Sequence, residues 1–319
     1  MKMQIKTIVI GIMIIISTAV LGCSETSKPN ITESDIPNVF FTSEVSSAGL
    51  VAVYEALNAT PTGKVAIKVH SGEPGNQNFI RPEFMAELVK KVDGTFIETN
   101  VAYHSQRATT ANHMRVAQQH GWTAVAPFVV LDGEGEVSFP VEGGKHLKEN
   151  LVGSRFDEFG YHIVLSHFKG HAMGGFGGAL KNTSIGYASA RGKGNIHTHG
   201  KGGTNIFAGD QVSFLEAMAE AAKTITDRAQ GRILFINVMN NISIDCDCDG
   251  GASAPVMADI GILASYDPVA LDQACIDLVY KAHDKHKLVE RIESRHGLRT
   301  VEYAEEIGIG SRKYKLVKI

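Results

Sequence analysis

Imidazole and ammonium side chains cluster in one stretch of this chain, which reads IVLSHFKGHAMGGFGGALKN. His167, Lys169 and His171 directly follow an apolar run that is typical of a buried strand. Ligands of α/β proteins bind at the carboxyl ends of such strands, where these groups can serve as bases, metal ligands or anion-binding groups. Lys181 and Asn182 follow a run of glycines, which lets backbone N–H groups approach a ligand. The alternative is a flexible loop with surface histidines.

Polar side chains also follow two earlier apolar runs. Lys68, His70, Glu73 and Asn76 lie in KVHSGEPGN, and Asn100 lies in ETNVAYHSQR. Because the carboxyl ends of neighbouring parallel strands meet at one edge of a sheet, three such clusters predict a shared cleft. The competing interpretation is that polar residues accumulate at the ends of all strands.

Two pairs of potential ligands, each separated by a single residue, could bind a metal ion. Cys246 and Cys248 lie in DCDCDGG after another apolar run, and His197 and His199 lie in the glycine-rich residues 186–209. Alternate residues of an extended segment point the same way, so each pair could present two ligands to one ion. Thiolates and imidazoles together favour zinc, iron or copper over magnesium. In an oxidising compartment the two thiols could instead form a disulfide, although the ring would be strained.

An alternation of strands and helices is predicted to position these clusters. The strand candidates are residues 64–70, 95–100, 162–167, 232–239 and 259–265. The helical patterns are residues 44–58, 81–91, 107–120, 210–229, 268–283 and 301–307. We therefore predict an α/β fold with a mainly parallel sheet, helices on both faces and the site at the carboxyl ends of the strands. The predicted helix at residues 210–229 lies between the cluster of His167 and His171 and the cysteine motif. As a crossover between neighbouring parallel strands, it should bring these two motifs together.

The first residues have the pattern of an export signal. A basic segment precedes a short apolar run that ends in VLGC, which resembles a bacterial lipobox with Cys23 as the lipidated residue. The run is shorter than the roughly 20 residues of a membrane span, and an uncleaved anchor helix is the alternative. We predict a signal peptide at residues 1–23, a flexible tether at 24–38 and a single α/β domain at 39–319. The chain would then be an exported lipoprotein of the cell envelope, on the outer membrane if the source is Gram-negative.

The charge pattern argues against one class of partner. The net charge is −3, and no basic stripe interleaved with aromatic residues occurs. Nucleic acid is therefore not an expected partner, whereas a membrane is expected through the lipid anchor. No feature of the sequence identifies a protein partner.

The assembled motifs resemble domain of unknown function 362, a family often labelled as iron–sulfur-centre proteins. The matching segments are VAIKVHSGEPGNQNFIRPEF, ETN, SHFKGHAMGGFGGALKN, CDC and DIGILASYDPVALDQACIDL, within about residues 39–287. The resemblance implies an α/β domain and core residues His70, Glu73, Asn76, His167, Lys169, His171, Lys181, Cys246 and Cys248. For many members it also implies ferredoxin-type clusters in an inserted segment. Here no cysteine occurs between Asn182 and Gly209, so we expect no iron–sulfur cluster by that route.

The leading hypothesis is an extracytoplasmic, lipid-anchored protein that is metal-binding or redox-linked. Its transition-metal ion, zinc, iron or copper, would be bound by ligands from His167, His171, His197, His199, Cys246 and Cys248.

Two other hypotheses belong to different classes. The first is an enzyme that acts on a small anionic substrate, with His70, His167 or His171 as the general base. In it, Lys169 or Lys181 would neutralise the anion, and Glu73 would orient an imidazole. Further ligand-binding residues would be Lys68, Asn76, Asn100 and Asn182. The last is a solute-binding or scaffold lipoprotein.

Overall fold

The computed structural model describes residues 36–202, 205–207 and 209–319. Residues 36–319 form one compact unit. The predicted signal peptide, the lipidation residue Cys23 and most of the predicted tether lie outside the described residues. No helix within the described part of the chain is long and apolar enough to cross a membrane.

The strands and helices alternate along most of the chain. The strands are β1 (Asn38–Thr42), β2 (Val65–Lys68), β3 (Gly94–Glu98), β4 (Phe128–Val130), β5 (Glu136–Pro140), β6 (Glu149–Gly153), β7 (Tyr161–His167), β8 (Lys169–His171), β9 (Gly175–Gly177), β10 (Ile233–Met239), β11 (Gly261–Ser265) and β12 (Lys315–Lys318). The α-helices are α1 (Ser47–Ala56), α2 (Ala86–Val92), α3 (Thr110–Gln119), α4 (Trp122–Val125), α5 (Ala179–Ser184), α6 (Ala190–His197), α7 (Gln211–Ala229), α8 (Pro268–Lys281), α9 (His286–Ser294) and α10 (Leu298–Glu306).

Eight strands form the central sheet, in the order β12-β1-β11-β10-β7-β2-β3-β4. The five strands β10, β7, β2, β3 and β4 are parallel to one another. Strand β11 is antiparallel to both β10 and β1, whereas β12 is parallel to β1. The prediction of an α/β fold with a mainly parallel sheet is confirmed. Two separate hairpins, β5–β6 and β8–β9, lie outside this sheet.

The two faces of the sheet are covered by different helices. In β7, Val164 belongs to one hydrophobic core, whereas Ile163 and Leu165 belong to the other. This division follows from the alternation of side chains along a strand. Residues of α5 and α7–α10 complete the first core, and residues of α1–α4 complete the second. The predicted arrangement with helices on both faces is therefore present.

The glycine-rich residues 186–209 differ from the prediction of an extended segment. They contain α6, whose N-cap Ser189 accepts a hydrogen bond from the N–H of Gly192. A Cβ atom on Gly192 would lie 2.2 Å from the carbonyl oxygen of Leu151 in β6. The glycine therefore lets the helix approach the strand, and this contact stabilises a helix that the local sequence does not predict.

Near the amino terminus, strand β1 begins at Asn38, which is the last residue of the predicted tether.

Candidate functional site

Three potential metal ligands lie together after β7 and β10. His171, Cys246 and Cys248 each offer one ligand atom, and these three atoms all lie within 4.8 Å of one another. Zinc binds nitrogen and sulfur at about 2.0–2.3 Å, so two ligands of one ion are separated by about twice that distance. The cluster could therefore hold a metal ion. The predicted convergence of the histidine and cysteine motifs is confirmed.

The two cysteines form a hydrogen-bonded pair whose pKa values are shifted in opposite directions. A hydrogen bond from Cys248 lowers the pKa of Cys246 well below its ordinary value, against the effect of burial and with help from the charges of Lys181 and Lys169. The same hydrogen bond, together with burial, raises the pKa of Cys248. At neutral pH the pair is therefore a thiolate with a neighbouring thiol, which is the state from which a metal would be bound.

His171 lies in the β8–β9 hairpin with its ring fixed by the turn. Its Nδ1 accepts hydrogen bonds from the N–H groups of Met173, at 3.2 Å, and Gly174, at 2.8 Å. Nε2 is therefore the nitrogen that remains for a metal or a sulfur. Burial lowers the pKa of His171 to about 4, and the charge of Lys181 adds to this effect. The imidazole is neutral at physiological pH, as a metal ligand must be.

The structure does not support His167 as a metal ligand. Its Nδ1 lies 3.0 Å from each carboxylate oxygen of Asp247, and its Nε2 lies 2.6 Å from the carbonyl oxygen of Asn240. Both ring nitrogens are therefore occupied. Asp247 also lies 3.2 Å from the ammonium group of Lys169, so this predicted anion-binding lysine is already paired.

Asp247 was not among the predicted site residues. Burial raises its pKa, but the charges of His167 and Lys169 outweigh burial and hold the pKa well below its ordinary value. One signal was present in the sequence: Asp247 lies between Cys246 and Cys248, so in an extended segment it faces away from them. The carboxylate thus fixes the cysteine loop against the strand end that carries His167.

His197 and His199 do not form a ligand pair in the described structure, contrary to the prediction. His197 ends α6, where its Nδ1 lies 2.7 Å from the carbonyl oxygen of Lys193 and its ring stacks on Phe214. The ring of His199 instead lies against His146, with the ring centroids 6.1 Å apart. The H-x-H spacing does not indicate a metal site here, because His197 lies in a helix, where alternate residues do not point the same way.

A cavity of about 300 Å³ adjoins the cysteine–histidine cluster. Its walls include the predicted site residues Lys68, His70, His167, Lys169, His171, Lys181, Asn182, His197, Cys246 and Cys248. The predicted shared cleft at the strand ends is therefore present, and it is of the size of a pocket for a small ligand.

Three predicted site residues support the loops around the cavity and do not line it. Glu73 forms an ion pair with Arg107 at 3.0 Å, so it does not orient an imidazole as predicted. Asn76 donates to main-chain carbonyl groups of the cysteine loop. The side chain of Asn100 contacts the ring of His113 at 3.3 Å. These contacts give Asn76 and Asn100 a structural role, and their predicted ligand-binding roles stay a prediction.

A buried ion-pair network forms one wall of the cavity. The guanidinium group of Arg107 lies 2.8 Å from Glu98, and Nε2 of His113 lies 2.9 Å from the other oxygen of the same carboxylate. Burial opposes ionisation of Glu98, but Arg107 and His113 hold its pKa well below the ordinary value. The charge of Arg107 on this wall is therefore compensated by the carboxylates of Glu73 and Glu98. His113 is in α3, and no sequence signal joins it to the site.

Two buried lysines also line the cavity. Lys68 donates to the carbonyl oxygen of Val69, at 2.6 Å, and to Oδ1 of Asn182, at 2.9 Å. Lys193 donates to the hydroxyl of Thr99 and to two main-chain oxygens. Burial lowers the pKa of Lys68 to about 7 and that of Lys193 to about 8. Both amines are thus less basic than ordinary lysines.

Residues 65–277 match the family described as domain of unknown function DUF362. The match covers more than half of the chain and includes every residue of the cysteine–histidine cluster and most of the cavity wall. The chain belongs to the DUF362 family. The resemblance inferred from the sequence motifs is confirmed.

Solved structures of two proteins resemble this DUF362 chain at low identity. The lactate racemase apoprotein from Thermoanaerobacterium thermosaccharolyticum has 14% identity and a TM-score of 0.38, over 66% of this chain and 52% of the other. A protein from Thermotoga maritima has 12% identity and a TM-score of 0.42, over 82% of this chain and 58% of the other. The DUF362 chain thus spans little more than half the length of either protein. No curated protein sequence matches it.

Proposed function

We propose that this DUF362 protein binds one transition-metal ion through Cys246, Cys248 and His171, and that it does so outside the cytoplasm. The observation that carries the proposal is the approach of three ligand atoms to within 4.8 Å of one another. These atoms come from the β8–β9 hairpin and from the loop after β10, more than 70 residues apart in the chain. Such an approach requires the fold and is not a local accident of sequence.

The ligand chemistry favours zinc, iron or copper. Thiolate and imidazole ligands select these ions over magnesium and calcium, which prefer oxygen. Three protein ligands leave a fourth position on a tetrahedral ion, and the cavity adjoins the cluster. Sites in which a metal acts on another molecule keep such an open position, whereas structural zinc sites are closed. The centre is therefore suited to binding or transforming a ligand.

The proposed location depends on the amino-terminal sequence. A basic segment, a short apolar run and a lipobox-like VLGC support export followed by lipidation of Cys23. Together with the domain that begins near residue 36, this gives a lipid-anchored domain that carries a metal centre.

Metal analysis of the purified full chain tests the proposal. Protein extracted in detergent is loaded with zinc, iron or copper, desalted, and assayed by inductively coupled plasma mass spectrometry. We expect about one ion per chain, and loss of that ion in Cys246→Ser and in Cys248→Ser, since removal of a thiolate removes a ligand.

Cys275→Ala is the matched control, because Cys275 is a buried cysteine of α8 that hydrogen-bonds to Asn237. It should keep the ion. Equal metal content in the wild type and both serine variants would place the ion elsewhere. Metal absent from the wild type under all three loading conditions would refute the metal centre and leave Cys246 and Cys248 as a redox pair.

A further inference from the structure

Lys181 differs from the other cationic residues of the cavity wall. Lys169 is paired with Asp247, and Arg107 is paired with Glu98. Among the residues that the structure describes, none forms an ion pair or a hydrogen bond with the Lys181 ammonium group. A half-buried cation on a cavity wall, with no ion-pair or hydrogen-bond partner, is a group for which a ligand can supply the missing charge.

The side chain of Lys181 lies beside that of Lys169 on the cavity wall. A Cβ atom on Gly177 would lie 3.5 Å from Nζ of Lys169 and 3.5 Å from Cδ of Lys181, so both side chains pass over this glycine. The charge of Lys181 also contributes, after burial, to the low pKa of Lys68 and Lys193. The Lys181 ammonium is therefore close enough to both buried lysines to disfavour their charged forms.

A bound metal would leave this positive charge uncompensated. A divalent ion bound by two thiolates cancels both thiolate charges. Lys181 then retains a full charge in a cavity of about 300 Å³, where electrostatic interactions are stronger than in water.

The wall suits an anion with a single charge better than a phosphate. The first N–H groups of α5, at Ala179 and Leu180, already donate to Asp272 at 2.7 and 2.9 Å. They cannot also bind phosphate oxygens. Lys68 has one remaining donor when protonated, since two of its three N–H bonds are used. Lys193 already uses its three N–H bonds, so the donors left for a ligand are those of Lys181 and one N–H of Lys68. They match the two oxygens and single charge of a carboxylate better than the four oxygens of phosphate.

The rest of the cavity wall has an apolar part. Met173, Ile185 and Val101 line it, together with Ala102 and Ile206. A hydrocarbon group can be buried there while an acidic group reaches Lys181. The ligand class is thereby limited to small molecules that are apolar at one end and negatively charged at the other.

We propose that this cavity binds a small organic carboxylate, with the carboxylate on Lys181 beside the metal position and the hydrocarbon group against Met173 and Ile185. The inference rests on the proposed function, because the carboxylate would lie beside the metal position. It adds a ligand class and an anchoring residue to that function.

Calorimetric titration of the zinc-loaded full chain tests the inference. The probes are acetate, butyrate and hexanoate, with butyramide as an uncharged analogue of butyrate and inorganic phosphate as the competing anion. We expect at least one carboxylate of the series to bind, butyramide not to bind, and phosphate to bind more weakly. Lys181→Met should raise the dissociation constant of that carboxylate at least tenfold, because a charge-assisted hydrogen bond is lost. Lys181→Arg should keep part of the affinity.

Lys90→Met is the matched control, since Lys90 is exposed on α2 and should leave the affinity unchanged. The carboxylate site is refuted if no probe binds, if butyramide or phosphate binds as tightly as the carboxylate, or if Lys181→Met binds like the wild type. Zinc content is measured on the same samples, so the two proposals fail separately. Protein that keeps zinc but binds no carboxylate refutes only the ligand, and Lys181-dependent binding to protein that holds no zinc refutes only the metal centre.

Discussion

The proton shared by Cys246 and Cys248 makes metal binding dependent on pH. Because the pKa of Cys248 is raised, the folded protein carries a thiol there at neutral pH, and an ion must displace that proton. His171 does not compete for protons above about pH 5, since its pKa is about 4. The affinity should therefore rise about tenfold per pH unit between about pH 6 and 8, as expected for release of one proton.

Zinc competition against a chelator of known affinity, at pH 6, 7 and 8, measures this slope after correction for the chelator's own protonation. A slope of zero would show that no thiol is deprotonated on binding, and that Cys248 is not a ligand. A slope of two would show that both cysteines carry protons in the free protein, against the low pKa of Cys246.

The orientation of His171 predicts that the histidine is the weakest of the three ligands. Metal-bound histidines usually donate their second N–H to an acceptor, but Nδ1 of His171 faces two N–H donors. If Nε2 binds a metal ion, Nδ1 has two possible states. It carries no proton, or it carries a proton that points at the N–H groups of Met173 and Gly174. His171→Ala should therefore lower zinc affinity by only about tenfold to a hundredfold, comparable to loss of an outer-shell partner, whereas Cys246→Ser should abolish it.

The same chelator competition, performed at a single pH, compares the two variants. If His171→Ala loses zinc as completely as Cys246→Ser, the imidazole is a full ligand. The turn at Met173 and Gly174 would then have to rearrange when the ion binds.

The sequence predicts that a histidine and the cysteines meet, but not which histidine. His167 and His171 both follow the same apolar strand, and the crossover through α7 brings the cysteine loop to that strand end. The choice depends on Asp247 and on the carbonyl group of Asn240, which occupy both nitrogens of His167. Those contacts form between segments more than 70 residues apart, so no local pattern reports them.

Helix α5 carries Lys181 and Asn182, and a carboxylate from another helix holds its first turn. Asp272 of α8 accepts hydrogen bonds from the N–H groups of Ala179 and Leu180 and from the side chain of Asn237. A Cβ atom on Gly178 would lie 2.3 Å from the same carboxylate. The position of Lys181 thus depends on packing between α5 and α8.

Asp272→Asn should lower the free energy of unfolding by about 1–3 kcal/mol, because an amide NH₂ would replace an acceptor oxygen and leave a buried donor unpaired. Burial raises the pKa of Asp272 to about 6, so urea unfolding is measured at pH 7.5, where the wild-type group is charged. Asp277→Asn on the same helix is the control. The carboxylate of Asp277 is partly exposed, so water can replace it as the acceptor for the side chains that donate hydrogen bonds to it. Equal effects of the two substitutions would contradict a special role for Asp272.

The longer strands and helices could be predicted from the sequence, whereas the shortest strands could not. Strands such as β7 and β10 are continuous apolar runs, and helices such as α7 begin with a clear N-cap. Strands β8 and β9 contain only three residues each, which is too few to show a period. Their geometry depends on tertiary contact: a Cβ atom on Gly170 would lie 2.4 Å from the carbonyl oxygen of Ile244.

At the scale of the whole molecule, the proposed lipid anchor can be tested by phase separation. With lipid on Cys23, the mature protein should partition into the detergent phase of Triton X-114. Cys23→Ser should leave an unprocessed or water-soluble product, because the residue that receives the lipid is absent. The matched control Cys275→Ala should partition like the wild type. Unchanged partitioning of Cys23→Ser would mean that the apolar run itself is the anchor, and the lipoprotein proposal would be wrong.

Strand β1 has consequences for when and where the protein can mature. It lies near the amino terminus, yet it pairs with β11 and β12, which lie at residues 261–265 and 315–318. The sheet therefore cannot close until nearly the whole domain has left the ribosome or crossed the membrane, and such distant pairing is slow. The loop that carries Cys246 and Cys248 joins β10 to β11, which is one of the two strands that pair with β1. An exported chain would then take its metal from the supply of the compartment in which it folds, and cytosolic metal delivery would have no part in loading it.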